Sequence, residues 1–496
     1  MSDTEENEQL ALAMALSLEN TIQRESEEER ESNDLKAAIA ASLGKKVEQL
    51  TARDMLMADI SSVSTPKRAR EETLDSGFHR ITKRIDQSET RYWDGVVKLT
   101  YVQGFVGPDY IRFQDIVQKH QLKKALVTAF VCSMDFINQH FPMDVNVCIV
   151  THGRPAIRKQ VHSHRIIIQP PLKDDRYGVF HPKLMLLFHS TSMRVVIGSA
   201  NLERYDYEEL ENVVFIQDFP KMDTSHASIE SLPAFAKNIC DLLDQMQVPT
   251  SVKDELLHYD FSKAKAHIVS SVSGVFEGEE DYKRYGHTRL ASIVKEITGS
   301  ITDLSQLPKV EMQTSSLGSM TVHYLQELFK SFCGVLPYKA GKLLEKNQVP
   351  PIDIIYPTQE TVESSKLGPP GAGTICLGKT AWQKATFPKQ VMCDSISQRQ
   401  GTLMHSKYII ATLLKPAPNK KDIRGWIYCG SHNATTSAWG KFVVARDSKQ
   451  PKMSISNWEL GVVLPLTENT DIPAPYLRPA PRYRPSQQAW TQDMEW

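Results

Sequence analysis

The sequence lacks any C-x-x-C pair, and its seven cysteines are scattered singly along 496 residues. This spacing indicates neither a zinc knuckle nor a disulfide framework. No apolar run approaches the ~18 residues of a membrane span. The acidic start, MSDTEENEQ, is unlike the basic leader of a signal peptide. We therefore expect an intracellular protein of roughly two to four domains.

Acidic and basic side chains nearly cancel over the whole chain, but they are unevenly spread. Residues 1–34 contain eleven acidic and two basic side chains, a net charge of −9, whereas the whole chain carries −1. The remaining residues therefore carry +8. A basic body behind an acidic tail is compatible with a polyanionic partner.

Residues 1–85 hold few aromatic residues and are rich in Glu, Ser, Lys and Arg, so we expect a disordered tail with short helices. Within the tail, EENEQLALAMALSLEN (5–20) and EEERESNDLKAAIAASLG (27–44) each place apolar and small residues on one helical face. The stretches could be generic amphipathic helices. Both, however, resemble the ubiquitin-interacting motif, which implies binding of ubiquitin or polyubiquitin. The two faces consist of Leu10, Ala13, Met14 and Ser17, and of Leu35, Ala38, Ile39 and Ser42.

A basic linker follows the two predicted helices. It contains Lys67, Arg68 and Arg70, and further on Lys83 and Arg84. This pattern is typical of a nuclear localisation signal, although short basic runs are common in linkers. We expect a nuclear protein.

From about residue 90 the composition becomes that of a globular protein. The pattern predicts a helix over residues 114–141, a strand over 145–150, a helix over 154–164 and a strand over 165–169. Alternating helices and strands predict an α/β fold around a largely buried sheet.

A two-part motif occurs twice in this globular part. His181 and Lys183 are followed by Gly-Ser-Ala-Asn ending at Asn201. His405 and Lys407 are followed by Gly-Ser-His-Asn ending at Asn433. The second copy is eight residues longer because of a polar insertion, KPAPNKKD. Recurrence in the same internal order indicates a function rather than two chance strand ends.

The residue types in the two motifs suit chemistry on a phosphodiester. Two lysines and two asparagines converging on one phosphate would neutralise and hydrogen-bond its oxygens. One imidazole can then attack phosphorus, while the other donates a proton to the leaving group and later takes one from water. The motifs are symmetric, so the residues alone do not say which histidine attacks. We expect no metal and no cofactor.

The paired motifs resemble those of the phospholipase D superfamily. Most members have an Asp five residues after the Lys, but these places here hold Phe188 and Thr412. Absence of both Asp residues resembles the tyrosyl-DNA phosphodiesterase family, as do QTSSLGS, SAWG and WELGVVLP, and the likeness covers roughly residues 90–470. The resemblance implies two similar α/β/α halves, 86–273 and 274–496, that form one shared active site.

The resemblance also implies an activity and a role for each motif residue. The activity is hydrolysis of 3′-phosphotyrosyl and other 3′ adducts on single- or double-stranded DNA ends through a phosphohistidine. His181 would be the nucleophile and His405 the acid and base. The phosphate clamp would consist of Lys183, Asn201, Lys407 and Asn433.

Further roles follow from the same resemblance. Glu459 matches a glutamate that orients a catalytic histidine in the family. Its counterpart in the first half is usually Gln, whereas the aligned position here is Asn212, a departure from the pattern. The implied DNA contacts are Tyr177, Ser316 and Thr435. We interpret His432 and His287 as structural histidines.

Two other functions remain possible interpretations of the sequence. One is a phospholipase D-type nuclease or lipid hydrolase, and the two missing Asp residues disfavour it. The other is a non-enzymatic adaptor for ubiquitin and DNA, which complete motifs disfavour. One site formed within one chain makes a monomer the simplest expectation.

Overall fold

The computed structural model describes residues 90–174, 178–336, 343–417, 420–444, 451–470 and 472–492. These residues all fall in one compact unit of the chain. Both predicted ubiquitin-interacting helices, the basic linker and Tyr177 lie outside the described residues.

The first half of the globular part forms a nine-stranded sheet in the order β2-β1-β9-β8-β7-β3-β4-β6-β5. Strands β7 and β8 are buried along their whole length, as their continuous apolar sequences require. The strands are β1 (Val96–Thr100), β2 (Tyr110–Ile111), β3 (Leu122–Ala129), β4 (Asn146–Thr151), β5 (Ile157–His162), β6 (Arg165–Gln169), β7 (Leu184–His189), β8 (Ser192–Gly198) and β9 (Val213–Pro220).

The second half forms a seven-stranded sheet in the order β10-β19-β16-β15-β12-β13-β14. A small three-stranded sheet, β11-β18-β17, accompanies it. The strands are β10 (His267–Ser271), β11 (Gly274–Glu277), β12 (Lys309–Gln313), β13 (Ile352–Ile355), β14 (Met392–Cys393), β15 (Tyr408–Thr412), β16 (Ile423–Gly430), β17 (Lys441–Val444), β18 (Pro451–Ile455) and β19 (Glu459–Thr467).

Short helices connect the strands of both sheets. Two of the three longest, α7 and α8, pack against each other and bury their apolar faces. The helices are α1 (Phe113–Val117), α2 (Met134–His140), α3 (Arg204–Glu208), α4 (Ala234–Gln245), α5 (Thr250–Asp254), α6 (Glu279–Tyr282), α7 (Gly286–Thr298), α8 (Val322–Phe332), α9 (Gln359–Glu363), α10 (Lys379–Gln383) and α11 (Thr436–Trp439). Among the residues described here, no helix is both long enough and apolar enough to cross a bilayer.

The two sheets repeat one topology. The order β1-β9-β8-β7-β3-β4-β6 matches β10-β19-β16-β15-β12-β13-β14, with the same parallel and antiparallel pairings throughout. Strand β10 pairs with β19 and so belongs to the second sheet, although it precedes the predicted boundary at residues 273 and 274. The division into two domains there stays a prediction.

The faces of the two sheets share one apolar core. Strands β8 and β9 contact β16 and β19, and a single buried cluster contains Leu184 and Ile197 together with Ile410 and Leu460. The α/β fold predicted from the sequence is confirmed, and so is the pairing of two similar halves.

Two helix predictions are wrong. Of residues 114–141, only the two ends are helical, because Leu122–Ala129 is strand β3 between β7 and β4. Residues 125–129 of this strand are buried on both faces, and a buried strand cannot be told from a buried helix by periodicity. Residues 154–164 contain strand β5, which pairs with β6. The strands predicted at 145–150 and 165–169 are confirmed as β4 and β6.

A buried ion pair joins the two halves near the start of β9. Arg399 donates from Nε to Oε1 of Glu211 at 3.1 Å and from Nη1 to the carbonyl of Thr100 at 2.7 Å. Ser397 Oγ donates to the other oxygen of Glu211. Burial raises the pKa of Glu211, and the guanidinium of Arg399 opposes that rise.

We expect Arg399→Met to destabilise the protein by roughly 3–5 kcal/mol, because it leaves the Glu211 carboxylate buried without its partner. The measurement is the midpoint of urea unfolding, followed by tryptophan fluorescence. The double variant Glu211→Gln/Arg399→Met is the control and should lose less than the sum of the two single variants. A wild-type midpoint for Arg399→Met would show that the ion pair does not hold the halves together.

Candidate active site

The two His-x-Lys segments lie directly before β7 and β15, the matching central strands of the two sheets. All four side chains are buried. Lys183 Nζ donates to the carbonyl of His181 at 2.8 Å, and Lys407 Nζ donates in the same way to the carbonyl of His405. The repeated motif therefore repeats in three dimensions, down to the hydrogen bond of each ammonium group.

The two asparagines follow β8 and β16, the strands next to β7 and β15. Asn433 Oδ1 accepts from the backbone N–H of Ser316 at 3.0 Å and from the hydroxyls of Thr314 and Ser315. Asn201 Oδ1 accepts from the backbone N–H of Val131 at 3.3 Å. Fixing the amide oxygens in this way leaves the NH₂ groups as the ends that can donate to a bound anion.

Each histidine is held in place by the backbone of the opposite half. His181 N donates to the carbonyl of Trp458 at 3.0 Å. His405 N donates to the carbonyl of Glu211 at 2.9 Å. Trp458 and Glu211 immediately precede Glu459 and Asn212, the two positions that the sequence analysis aligned with histidine-orienting residues. These hydrogen bonds bring both motifs to one shared site.

Glu459 contacts His181 as the sequence analysis predicts. Its Oε2 lies 2.8 Å from His181 Nδ1, and it also accepts from Ser431 Oγ, while Asn457 Nδ2 donates to its Oε1 at 3.3 Å. Burial raises the pKa of Glu459, and the hydrogen bonds from Ser431 and Asn457 oppose that rise. A neutral imidazole that donates from Nδ1 keeps its lone pair on Nε2. His181 Nε2 is buried and has no hydrogen-bond partner among the described residues.

Asp206, which the sequence analysis missed, faces His405. Its Oδ1 lies 3.2 Å from His405 Nδ1, and its Oδ2 accepts from the backbone N–H of Asn201 at 2.5 Å. Asn212 instead accepts from Ser199 Oγ and donates to the carbonyl of Asp206. The carboxylate beside His405 therefore comes from α3.

Burial dominates the electrostatics of the site. Desolvation and the neighbouring Lys407 ammonium hold the pKa of Lys183 well below its usual value. Burial lowers the pKa of Lys407 to about 7 and that of His405 to about 4. The pKa of His181 also falls well below its ordinary value, through burial and then through Lys183 and Lys407. Both imidazoles are therefore neutral at neutral pH.

The pKa of Asp206 also falls, to about 2, and for a carboxyl group a lower pKa favours the charged form. Burial acts to raise it, but contacts with His405, the Asn201 N–H and Lys407 more than offset that effect. The folded protein therefore keeps Asp206 ionised across the pH range in which it works.

The predicted DNA contacts have defined positions where they are described. Ser316 is buried in the wall that fixes Asn433. Thr435 is also buried, and its Oγ1 caps α11 by accepting from the backbone N–H of Ala438 at 3.1 Å. Contact with DNA stays a prediction for both residues.

His432 and His287, which we interpret as structural histidines, each contact polar side chains of the fold. His432 Nδ1 lies 2.6 Å from the Tyr428 hydroxyl, and its Nε2 lies 3.0 Å from Ser271 Oγ. His287 lies 2.9 Å from Ser331 Oγ and 3.1 Å from a carboxylate oxygen of Glu327. Within the described ranges, no cluster of three or more His, Cys, Asp or Glu side chains could hold a metal ion.

The chain is similar in sequence to a known protein family. A family model described as "Tyrosyl-DNA phosphodiesterase" matches residues 96–492, and a "Ubiquitin interaction motif" model matches residues 5–21 and 33–44. Tyrosyl-DNA phosphodiesterase 1 of Drosophila melanogaster is 27% identical over 363 residues, which cover 68% of this chain and 60% of the relative.

Two further proteins are similar. Tyrosyl-DNA phosphodiesterase 1 of Arabidopsis thaliana is 24% identical over 68% of this chain and 56% of its own length. This chain thus spans less than two thirds of either curated relative. The crystal structure of the yeast tyrosyl-DNA phosphodiesterase superposes with a TM-score of 0.60 at 17% identity, over 81% of this chain and 100% of that one.

We expect Asp206→Asn to lower the pKa of His405, because the carboxylate favours the charged imidazolium and an amide does not. In the wild type the His405 ring should protonate near pH 4; in the variant it should stay neutral there. Histidine-selective NMR, with the signal assigned through His405→Asn, measures the titration. Asn212→Ala is the matched control and should leave the midpoint unchanged. An unaltered midpoint in Asp206→Asn would mean that the carboxylate does not act on His405.

Proposed function

The chain belongs to the tyrosyl-DNA phosphodiesterase family, and from this premise we propose that it hydrolyses the 3′-phosphodiester between DNA and a topoisomerase-derived tyrosine. Other 3′ adducts on single- or double-stranded ends are further substrates of the proposed activity. The observation that carries the proposal is the convergence of two complete His-Lys-Asn sets, each with a carboxylate on its histidine.

The phosphate clamp of this proposal consists of Lys183, Lys407, Asn201 and Asn433. Burial disfavours both ammonium charges, and the charge of Lys407 disfavours that of Lys183 further. A phosphodiester anion between them would restore both charges and accept hydrogen bonds from the asparagine NH₂ groups. The clamp would bind most tightly as negative charge builds on the equatorial oxygens in the transition state.

In the first step, Nε2 of His181 attacks phosphorus and displaces the tyrosyl oxygen. Glu459 accepts a hydrogen bond from Nδ1–H and so stabilises the positive charge that the ring acquires. His405 must be protonated to donate to the leaving oxygen. Asp206 supports this protonated form, and so does the negative charge of a bound phosphate. The products of the step are tyrosine, still attached to its peptide, and a phosphohistidine at the DNA 3′ end.

In the second step, His405, now neutral, takes a proton from water as the water attacks phosphorus. The P–N bond breaks, His181 returns to its neutral form, and DNA leaves with a 3′-phosphate. The same histidine thus serves first as acid and then as base, which the near-neutral intrinsic pKa of imidazole allows.

Substrate contacts outside the clamp belong to the same proposal. Tyr177 would stack on a base, and Ser316 and Thr435 would contact the DNA backbone. The enzyme would act as a monomer in the nucleus, where its substrates are. Its tail would bind ubiquitin or polyubiquitin through the motifs at residues 5–21 and 33–44.

Two structural observations disfavour the rival functions. The place of the Asp in phospholipase D-type enzymes is filled in the first motif by Phe188, which is buried in the apolar core. In the second motif it is filled by Thr412, which is exposed on β15. A non-enzymatic adaptor would have no use for two buried histidine–carboxylate pairs, which are expensive to maintain.

We expect the wild type to convert a 3′-phosphotyrosyl oligonucleotide to a 3′-phosphate in excess EDTA. His181→Ala should lose at least roughly three orders of magnitude in rate, since it removes the nucleophile. His405→Asn should accumulate a covalent enzyme–DNA species, because the second step lacks its base. The measurement is denaturing gel electrophoresis, with a phospholipid as the control substrate. An inert wild type, a requirement for metal, or lipid hydrolysis instead would refute the proposal.

We expect the tail to recruit the enzyme to ubiquitylated protein–DNA crosslinks. Deletion of residues 1–60 should spare activity on a model oligonucleotide but impair recruitment to damaged DNA, as measured by chromatin fractionation. Ala13→Asp/Ala38→Asp should act like the deletion, because both residues lie on the predicted binding faces. Ala15→Asp/Ala40→Asp is the matched control on the opposite faces. Normal recruitment of the deletion variant would sink the hypothesis.

A further inference from the structure

Strand β5 has no counterpart among the described residues of the second half. The repeated seven-strand order ends at β6 in the first sheet and at β14 in the second, and β5 is added beyond β6 as an edge strand. All six of its residues are exposed, within a run of exposed residues from 154 to 163. Strand β5 is therefore held by its backbone pairing with β6 and not by packing into the core. Its side chains are free to form a surface that binds a ligand.

The hairpin formed by β5 and β6 is basic. Residues 152–165 contain four Lys and Arg side chains, three histidines and no acidic residue. One of the four, Arg165, is buried and donates to the backbone carbonyls of Phe141, Pro142 and Val145. Arg158 and Lys159 are exposed and form no ion pair with any described carboxylate. Their positive charge is therefore available to a ligand.

The base of this hairpin adjoins the catalytic centre. His152 Nδ1 accepts from the backbone N–H of Phe180 at 3.3 Å, and Arg154 Nη2 donates to the carbonyl of Gly178 at 2.6 Å. Phe130 stacks on His152 at 4.9 Å between ring centroids and lies 6.0 Å from the ring of His181. The basic surface thus begins beside the nucleophile rather than at a distant place on the fold.

The direction of β5 leads away from the site. Ile157 pairs with Gln169 at the carboxyl end of β6, which is the catalytic edge of the sheet, and His162 pairs with Arg165 at the far end. Strand β5 is also displaced sideways, because four strand spacings of about 4.8 Å, roughly 19 Å in all, separate it from β7. At a rise of about 3.4 Å per nucleotide of a duplex strand, Arg158 and Lys159 therefore lie about five to six nucleotides from the reacting phosphate.

We propose that the β5–β6 hairpin binds the DNA backbone several nucleotides upstream of the 3′ adduct. The inference rests on the proposed function, because it takes DNA as the substrate. Arg158 and Lys159 contact phosphates and carry no base specificity. The hairpin therefore makes affinity depend on the length of the DNA and not on its sequence.

The test compares two 3′-phosphotyrosyl substrates, one of 3 and one of 18 nucleotides, with the variant Arg158→Ala/Lys159→Ala. For the longer substrate we expect KM to rise about tenfold at unchanged kcat. The slope of log(1/KM) against log salt concentration should become less negative by about 1 to 1.5, because two phosphate contacts on a single strand are lost. Values for the shorter substrate should not change, since it does not reach the hairpin.

Two control variants separate the site from general charge. Lys119→Ala/Lys123→Ala removes two exposed lysines from the amino end of β3, the edge of the same sheet opposite the catalytic edge. It should leave KM for both substrates unchanged. Arg158→Lys/Lys159→Arg keeps both charges and should retain tight binding of the longer substrate.

The outcomes distinguish this proposal from the one on which it rests. A wild type that cleaves neither substrate would overturn both. A wild type that cleaves both, with a double variant that is unaffected or equally impaired on the two lengths, would overturn the hairpin proposal alone. A defect that grows with the length of the peptide on the 3′ phosphate would also overturn it, because the hairpin would then bind the protein side of the adduct.

Discussion

Two buried ammonium groups, on Lys183 and Lys407, set the constraint to which the rest of the site responds. Desolvation lowers the pKa of each, and the neighbouring Lys407 lowers that of Lys183 further. Glu459 and Asp206 oppose that effect from two sides, and both are buried as well. Such an arrangement is stable only in a rigid surround, which the two packed sheets supply. The arrangement is therefore complementary to an anion, which would complete the charge balance.

The duplicated topology makes the site nearly symmetric, and one position breaks the symmetry. The residue after Trp458 is Glu459, which reaches His181. The residue after Glu211 is Asn212, which hydrogen-bonds within its own half. The partner of His405 is Asp206, which lies on α3. Both histidines thus have a carboxylate neighbour, although the fold provides the two carboxylates from different elements.

Sequence alone predicted the α/β fold and the two motifs, because each depends on a local pattern that occurs in the expected order. The role of Glu459 was implied by the resemblance to the family. The sequence did not identify Asp206. Five acidic residues lie between Asn201 and Asn212, and no local pattern says which of them faces His405. Strand β5 was mistaken for a helix because Ala, Arg, Lys and Gln favour helices, whereas pairing with β6 decided its structure. In both cases the structure depends on a contact between two segments that no local sequence pattern indicates.

Each catalytic-site carboxylate comes from the half opposite the histidine that it contacts. In the phospholipase D pattern the Asp lies five residues after the motif Lys, on the same strand. Here that place is apolar in β7 and solvent-exposed in β15. Instead, Glu459 comes from the second half to His181, and Asp206 comes from the first half to His405. Neither half alone can pair its motif histidine with a carboxylate. One chain completes both of these pairs without a second copy. The backbone hydrogen bonds from His181 to Trp458 and from His405 to Glu211 hold each histidine beside the half that supplies its carboxylate. Association of the halves and assembly of the site are therefore the same event.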